Sequence, residues 1–320
     1  MKRLKRRQFG KLAAASLTST IFIDASSKAV AQRILPSQPN IFGIKIASTS
    51  PARDKENQTP AVELSVANLG LRKVLSKINV AVNSVENPLA VAKQSRAFFV
   101  AHPDRVTKLA AMKDGNLVAS TVAHTRNGCF NHLLFTVGGA NNPIFRAKKI
   151  LGLERANQTV ESLLSLPNNQ LLCLVGTDGT PPFTFRTIDF RTGKIISRDD
   201  LNLPPLPNNH RFANLCQDAK GNIFATEITS EGIPILISMN FQDRAIVTGK
   251  VKINRLNPLT LNGRPLFNDV RDLVFSPSGQ LHALVPVDGG KNNALCVVDV
   301  NTGKMERLDN LDAEKFAYSA

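Results

Sequence analysis

Side chains that can hold a metal ion or move a proton recur at fixed distances from one repeated turn. Nine residues after the equivalent positions Gly115, Asn169, Gly221 and Gly279 stand His124, Asp178, Ser230 and Asp288. Ten or eleven residues before three of those positions stand Asp104, Arg105, His210, Arg211, Asn268 and Asp269. An imidazole and carboxylate set of this kind can hold a divalent ion and polarise an ester or lactone oxygen for hydrolysis. His124, Asp178 and Asp288 are the candidate ligands, and a divalent metal is the one cofactor the set implies. Asp104, Arg105, His210 and Arg211 are candidate contacts for a bound molecule at the same place. No ligand motif of defined spacing accompanies them, and polar loops are ordinary in any repeat, so the sequence by itself favours a binding module over an enzyme.

Other candidates carry less. His282 falls mid-strand where its sister units place Val118, Leu172 and Phe224, and reads as a packed, hydrogen-bonded core histidine. Residues 176–179 and 288–290 are turn sequences, not phosphate cradles, because no helix follows to supply a dipole. Thr192-Gly193-Lys194 looks like the end of a phosphate loop, but its twin Thr302-Gly303-Lys304 marks a repeated hairpin turn. There is no G-x-S-x-G, H-E-x-x-H or Walker sequence.

The elements that must position these groups repeat every 52 to 58 residues. Six residues before each turn position stands Leu109, Leu163, Leu215 or Leu273, and nine before it Val106, Val160, Phe212 or Val270. Two after it comes Leu117, Leu171, Ile223 or Leu281, and four after it Ala119, Cys173, Ala225 or Ala283. Glycine and asparagine tolerate positive φ, which tight hairpins demand, so each unit reads as strand, turn, strand. A third strand follows and ends in a second turn at 191–194 and 301–304, and a fourth runs outward from it. Four short antiparallel strands per unit make a propeller blade, whose sheet needs neighbours on both faces.

The Gly-Asn-Leu and Gly-Asn-Ile turns at 115–117 and 221–223, with the Asp-x-x-Thr-Gly-Lys turns at 189–194 and 299–304, resemble NHL-type or YVTN-type propeller repeats. The resemblance spans residues 106–312 and implies a fold without an activity. Residues 41–105 hold strand-like runs at 41–46, 62–66 and 97–100, enough for one further blade. The expectation is therefore an all-β propeller of five four-stranded blades at 41–320, with six as the alternative.

Residues 1–31 resemble an export leader. Arg6-Arg7-Gln8-Phe9-Gly10-Lys11 is similar to a twin-arginine signal, with Arg6, Arg7, Phe9 and Lys11 in the matching places. A modestly apolar stretch at 12–23 and the small-residue run Ala29-Val30-Ala31 follow. The stretch is too short to span a bilayer. A general secretory signal, or a leader retained as an anchor, stays open. Residues 32–40 read as a linker. Seven basic residues and one acid lie in 1–31, so a net charge of +15 falls to +9 without them. That moderate excess suits an anionic envelope surface. One tyrosine and no tryptophan argue against a nucleic-acid stacking surface.

Four cysteines occupy apolar or third-strand slots and read as structural free thiols. The expected partners are the twin-arginine export machinery and a protein, an envelope polymer or a small ligand bound at the loop-lined face. The expected place is the periplasm, the thylakoid lumen or the outside of the cell. The alternative function is a metal-dependent, lactonase-like hydrolase at that face, and a third is a structural or assembly role in the envelope.

Overall fold

The computed structural model describes residues 40–46, 61–68, 73–81, 83–84, 103–126, 128–137, 144–166, 170–198, 201–241, 251–267, 270–290 and 292–319. The leader with Arg6, Arg7, Phe9 and Lys11, nearly all of the linker, the strand expected at 97–100, and Asn268 and Asp269 lie outside them. The chain divides into residues 1–37 and 38–320, and every described strand belongs to the second unit.

The first strands are β1 (Asn40–Ile46), β2 (Ala61–Asn68), β3 (Lys73–Ala81) and a two-residue β4 (Asn83–Ser84). Blade two is β5 (Arg105–Ala111), β6 (Leu117–Thr125), β7 (Gly128–Val137) and β8 (Ile144–Lys149), with β4 added parallel at its outer edge. Blade three is β9 (Gln158–Ser165), β10 (Gln170–Thr177), β11 (Thr180–Asp189) and β12 (Ile195–Ser197). Blade four is β13 (Arg211–Gln217), β14 (Ile223–Ile228), β15 (Pro234–Asn240) and β16 (Lys252–Pro258). A small hairpin, β17 (Thr260–Leu261) and β18 (Arg264–Pro265), leads to blade five: β19 (Asp272–Phe275), β20 (Leu281–Val287), β21 (Asn292–Val298) and β22 (Lys304–Asn310).

The last strand, β23 (Lys315–Tyr318), returns to pair antiparallel with β1, Ile41 opposite Tyr318 and Ile44 opposite Lys315. Blade one therefore takes its inner strand from the C-terminal side and β1–β3 from the N-terminal side. The inner strands β23, β5, β9, β13 and β19 contact one another in a closed ring. This is a five-bladed propeller, and the six-blade alternative falls because β1–β3 form one sheet with β23. Among the described residues no helix is long and apolar enough to cross a membrane.

The sequence repeat has a packing cause. Alternate residues of a strand face opposite sides of its sheet, so each blade offers one apolar set to each neighbour. Leu163, Leu171, Cys173 and Val160 pack toward blade two, whereas Leu172 and Leu174 pack toward blade four. Every one of the four repeated apolar positions turns to the preceding blade: Val106, Leu109, Leu117 and Ala119 to blade one, and Val270, Leu273, Leu281 and Ala283 to blade four. Cys173 is fully buried and has its thiol pushed up to about 12 by desolvation, which makes it a small inert filler. All four cysteines are free, as expected. His282 is buried too and has a backbone hydrogen bond with Gln280; among the described residues its Nδ1 has no hydrogen-bond partner, its ring lies 5.4 Å from that of Tyr318, and burial pushes its pKa down to about 4.

A further repeated position is visible only with the fold in hand. Seven residues before each turn stand Lys108, Ser162, Asn214 and Asp272, each buried and polar. Together they join the blades around the channel. Asp272 Oδ1 accepts from Lys108 Nζ at 2.6 Å, and Asp272 Oδ2 accepts from Phe316 N at 3.0 Å. Asn214 Nδ2 donates to Val270 O at 2.7 Å, while Lys315 Nζ donates to Asn214 Oδ1 at 3.3 Å. Ser162 Oγ accepts from Leu215 N at 2.9 Å. Removing one member of a buried ion pair orphans the other and costs about 3–5 kcal/mol. Asp272→Asn should lower unfolding free energy by about that much in urea titration, and the double variant Lys108→Met/Asp272→Leu should recover most of it. A loss under about 1 kcal/mol would show that the pair does not hold the ring.

Candidate functional site

The β6–β7 hairpin places the first two groups. His124 and Cys129 are directly opposed in its register, so their side chains lie on one face. Gly128 adopts φ 123°, and a Cβ there would meet Ala156 O at 2.5 Å. Glycine is therefore required for the hairpin to lie against blade three, where Cys129 N donates to Ala156 O at 2.7 Å.

Blade three supplies the third group through a two-residue turn. Asp178 and Gly179, at φ 47° and 79°, join Thr177 to its paired residue Thr180. Two successive left-handed residues are the hairpin geometry that Asp-Gly favours. The turn is tethered from below by Glu161, which accepts from Gly179 N at 2.9 Å. Glu161 is the extra residue of a bulge, since the register of β10 on β9 shifts between Leu174 and Val175. Its side chain is only 7% exposed. It takes a two-bonded fork from Arg105, with NH1 at 3.0 Å and NH2 at 3.1 Å, and a further bond from Thr159 Oγ1. Arg105 NH2 also reaches Asp178 Oδ1 at 3.2 Å. Glu161 thus fixes both the hairpin tip and the arginine beside it.

His124 lies between two carboxylates. Its Nδ1 is 3.0 Å from Asp104 Oδ2, and its Nε2 is 3.0 Å from Asp178 Oδ1. Asp104 Oδ2 also accepts from His124 N. The bonds to Asp178 and then Asp104 raise the His124 pKa above its ordinary value, against a smaller opposing effect of burial. Burial raises the Cys129 thiol, and the Asp178 carboxylate adds to that.

One ligand atom each from His124, Cys129 and Asp178 lies within 4.8 Å of the others. A nitrogen, a thiol sulfur and a carboxylate oxygen form the mixed donor set that zinc accepts, with three protein ligands leaving a fourth position open. Asp104 supports the fit. A ligating imidazole generally gives its second N–H to a carboxylate, which fixes the ring and its tautomer. Here Asp104 lies on Nδ1 and can take its N–H, and Nε2 is the ring nitrogen on the Asp178 side. Asp178 uses only Oδ1 for His124 and Arg105, so its Oδ2 stays available among the described residues.

This cluster corrects the preference for a binding module over an enzyme: the mouth holds a three-residue set able to hold a metal ion, which favours the metal-dependent alternative. It also brings in a residue that the sequence did not offer as a ligand. Cys129, expected to be structural, joins His124 and Asp178. Asp288 opens a short 3-10 turn in blade five, which borders neither blade two nor blade three, and its side chain lies outside the described residues. Ser230 sits in the β14–β15 turn. Asp104 and Arg105 lie beside the cluster, on His124 and on Asp178.

His210 belongs to a second set, in blade four. Its Nδ1 is 2.7 Å from Glu227 Oε1, and Arg255 lies against the same carboxylate, NH2 at 3.0 Å from Oε1 and Nε at 2.9 Å from Oε2. Glu227 is fully buried. Arg211 opens β13 beside them. Neither Glu161 nor Glu227 stands out in the sequence by motif. Each is an acid where sister units carry mainly apolar or neutral residues, and that departure is the available signal.

No protein-family profile matches this chain, and no curated protein matches it. The NHL-type or YVTN-type resemblance therefore stops at the propeller fold. Among solved structures, a protein of unknown function from Bacteroides caccae is 12% identical over 88% of this chain and 99% of its own, with a TM-score of 0.41. A puromycin-hydrolyzing peptidase from Mycobacterium tuberculosis is 13% identical over 79% of this chain, at 0.38, and the chain spans only 36% of it. Regucalcin, a calcium-binding protein from Agrobacterium tumefaciens, is 12% identical over 78% of this chain and 70% of its own, at 0.37. Likeness this low carries no activity to the chain.

Titrated with zinc ion by calorimetry, the full-length chain should bind one equivalent. Asp104→Ala should weaken that binding by about 10–100-fold, and His124→Ala should weaken it further. Cobalt in place of zinc should give a thiolate charge-transfer band that Cys129→Ser removes. Zinc binding unaltered in Cys129→Ser would take Cys129 out of the site.

Proposed function

We propose that the chain is a metal-dependent hydrolase acting at the mouth formed by blades two and three, on an ester or lactone. The observation that carries this reading is the His124, Cys129 and Asp178 donor set within 4.8 Å, with Asp104 behind His124. When bound there, a divalent ion supplies Lewis acidity toward a carbonyl oxygen. The protein's own part is positional. Asp104 holds the His124 ring, and Glu161 holds the Asp178 turn. Arg105 keeps a guanidinium next to the ligand carboxylate, where it can meet charge developing on an oxygen. His210, oriented by the buried Glu227, offers Nε2 as a proton acceptor from blade four.

A chain loaded with zinc should hydrolyse at least one member of a panel of p-nitrophenyl esters and lactones, and chelator should stop it. His124→Ala should lose turnover with the fold intact by circular dichroism. His210→Gln should lower kcat while zinc affinity holds. Zinc bound at one equivalent without turnover on any ester or lactone would sink this reading and leave a binding role for the mouth.

We also propose that the chain is exported through the twin-arginine route. Support comes from Arg6, Arg7, Phe9 and Lys11, the apolar stretch after them, and the small residues at Ala29 and Ala31. A closed ring fits a route that carries folded cargo. Fused to its own leader, the chain should appear outside the cytoplasm on fractionation, and Arg6→Lys/Arg7→Lys should hold it inside. Unchanged export in that variant would point to the general secretory route.

A further inference from the structure

Two imidazoles outside the mouth stand at the two faces of the blade that closes the ring. His132 lies in β7 of blade two and His282 in β20 of blade five, and both are buried. Leu134, two residues beyond His132, packs with Phe42, Ile44, Val62 and Leu64 of blade one. Alternate residues of a strand share a face, so His132 turns to blade one as well. On the other side the His282 ring lies 5.4 Å from that of Tyr318 in β23, and Leu284 packs with Ile41 and Phe316. Blade one is thus held between two histidines, one from each neighbour.

Neither ring is placed to carry a charge. Among the described residues the Nδ1 of each has no hydrogen-bond partner, and no carboxylate acts on either ring. His132 stands opposite Thr121 of β6, whose Oγ1 is also without a partner, and opposite Lys149 of β8, a second cation. His282 stands opposite Val274 of β19 and Val297 of β21, with the Gln280 backbone as its one hydrogen-bond partner. Tyr318 meets it from blade one with a hydroxyl that has no partner either. The charged groups of blade one are engaged elsewhere. Glu314 accepts from Ile46 N and Val106 N, and Lys45 and Lys77 share Glu63 and Asp312. A cation buried in such surroundings is costly.

We infer that mild acid opens this ring at blade one, because His132 and His282 cannot stay docked against it once they carry protons. The device rests on the two interfaces and needs neither the metal cluster nor turnover.

The sign follows from the direction of the shifts. Burial first and Lys149 second push the His132 pKa down to about 4, and burial does the same to His282. Above the ordinary value of 6.5 both rings are neutral in the open and closed chains alike, and the device is silent. Below it the open chain takes up protons that the closed chain refuses, and the cost grows down to about pH 4. Asp312 does not share this window, since Lys45 and Lys77 hold its carboxyl below the ordinary value.

Hydrogen exchange of the full-length chain, read by mass spectrometry and corrected for the intrinsic effect of pH, is the test. From about pH 7.5 to about pH 5.5, protection of the β1 and β23 amides should fall about a hundredfold, about tenfold for each histidine. Protection of β10 in blade three and β14 in blade four should change by less than about threefold. His282→Phe, which installs the residue that blade four carries there as Phe224, should cut the fall at blade one to about tenfold. His132→Gln should do the same, and the double variant should abolish the fall. Melting at neutral pH checks that each variant folds, and either single variant that folds decides the point. Protection lost evenly over all five blades, a blade one unaltered in acid, or a fall of full size in a folded single variant overturns the inference.

Discussion

One carboxylate holds the closure of this ring together. Asp272 begins the inner strand of blade five, where Oδ1 accepts from Leu273 N, yet each oxygen also answers to another blade: Oδ1 to Lys108 Nζ of blade two and Oδ2 to Phe316 N of blade one. Blade one is the blade made from both ends of the described unit, and its inner strand β23 has only four residues. A strand so short has few ladder bonds of its own, so an ionic acceptor for Phe316 N fastens it where pairing alone is thin. The carboxylate is fully buried and would be costly if left alone. It is tolerated because one strong cation and two backbone donors satisfy it. Lys108 lies across the channel and can reach it only when the ring is shut. The interaction is therefore conditional on the complete fold, which is the property a closing contact needs.

What the closure secures is the pitch of the neighbouring blades. Five apolar interfaces, one between each pair of neighbouring blades, carry most of the burial; four are built from the same four repeated positions plus the reverse face of the preceding sheet, and the fifth sets Ile41, Phe316 and Tyr318 of blade one against Leu284 and Leu295 of blade five. Such interfaces hold two adjacent blades at a fixed angle, and the hairpins at their ends inherit that angle. His124 and Cys129 belong to one blade and Asp178 to the next, so their proximity is a property of the interface and not of either sheet. The Gly128 approach to Ala156 and the fork of Arg105 on Glu161 cross the same boundary at the mouth. Packing in the middle of the blades and polar contacts at their tips thus set one geometry.

The sequence made the scaffold legible for the same physical reason. Positions occupied by Leu109, Leu163, Leu215 and Leu273 meet equivalent surroundings in four interfaces, so selection for packing returns the same residue each time. The turn glycines repeat because the backbone there needs positive φ. The closing strand at 315–318 was not legible: it lies beyond the last repeat and is defined by a partner some 270 residues away in the chain. His124 with Asp178 could be gathered from their shared offset, and Asp104 and Arg105 from theirs. Cys129 could not, because it is set by register across a hairpin, and hairpin length varies between blades. The buried polar waist was visible in principle. Lys108, Ser162, Asn214 and Asp272 share one offset between apolar neighbours, and four polar residues at a core position are a signal that a search for apolar repeats passes over.

The candidate chemistry lies where the repeat breaks. In a ring of similar blades, a residue that keeps to the pattern is accounted for by packing, since its sisters do the same work without any ligand. Glu161 departs from Thr107, Ala213 and Arg271 at its offset, and it occupies a bulge that turns it toward the mouth. Glu227 departs from Thr121, Val175 and Val285, and it is a fully buried acid that packing alone would exclude. Each of these acids requires a compensating cation, and each has an arginine on it, Arg105 and Arg255. Burying a paired charge where a valine would serve is seldom a gain in stability. Two such replacements, each beside an imidazole-bearing hairpin or loop at the same end of the channel, are better explained by what they position. Glu161 sets the turn that presents Asp178 to His124, and Glu227 sets the ring of His210.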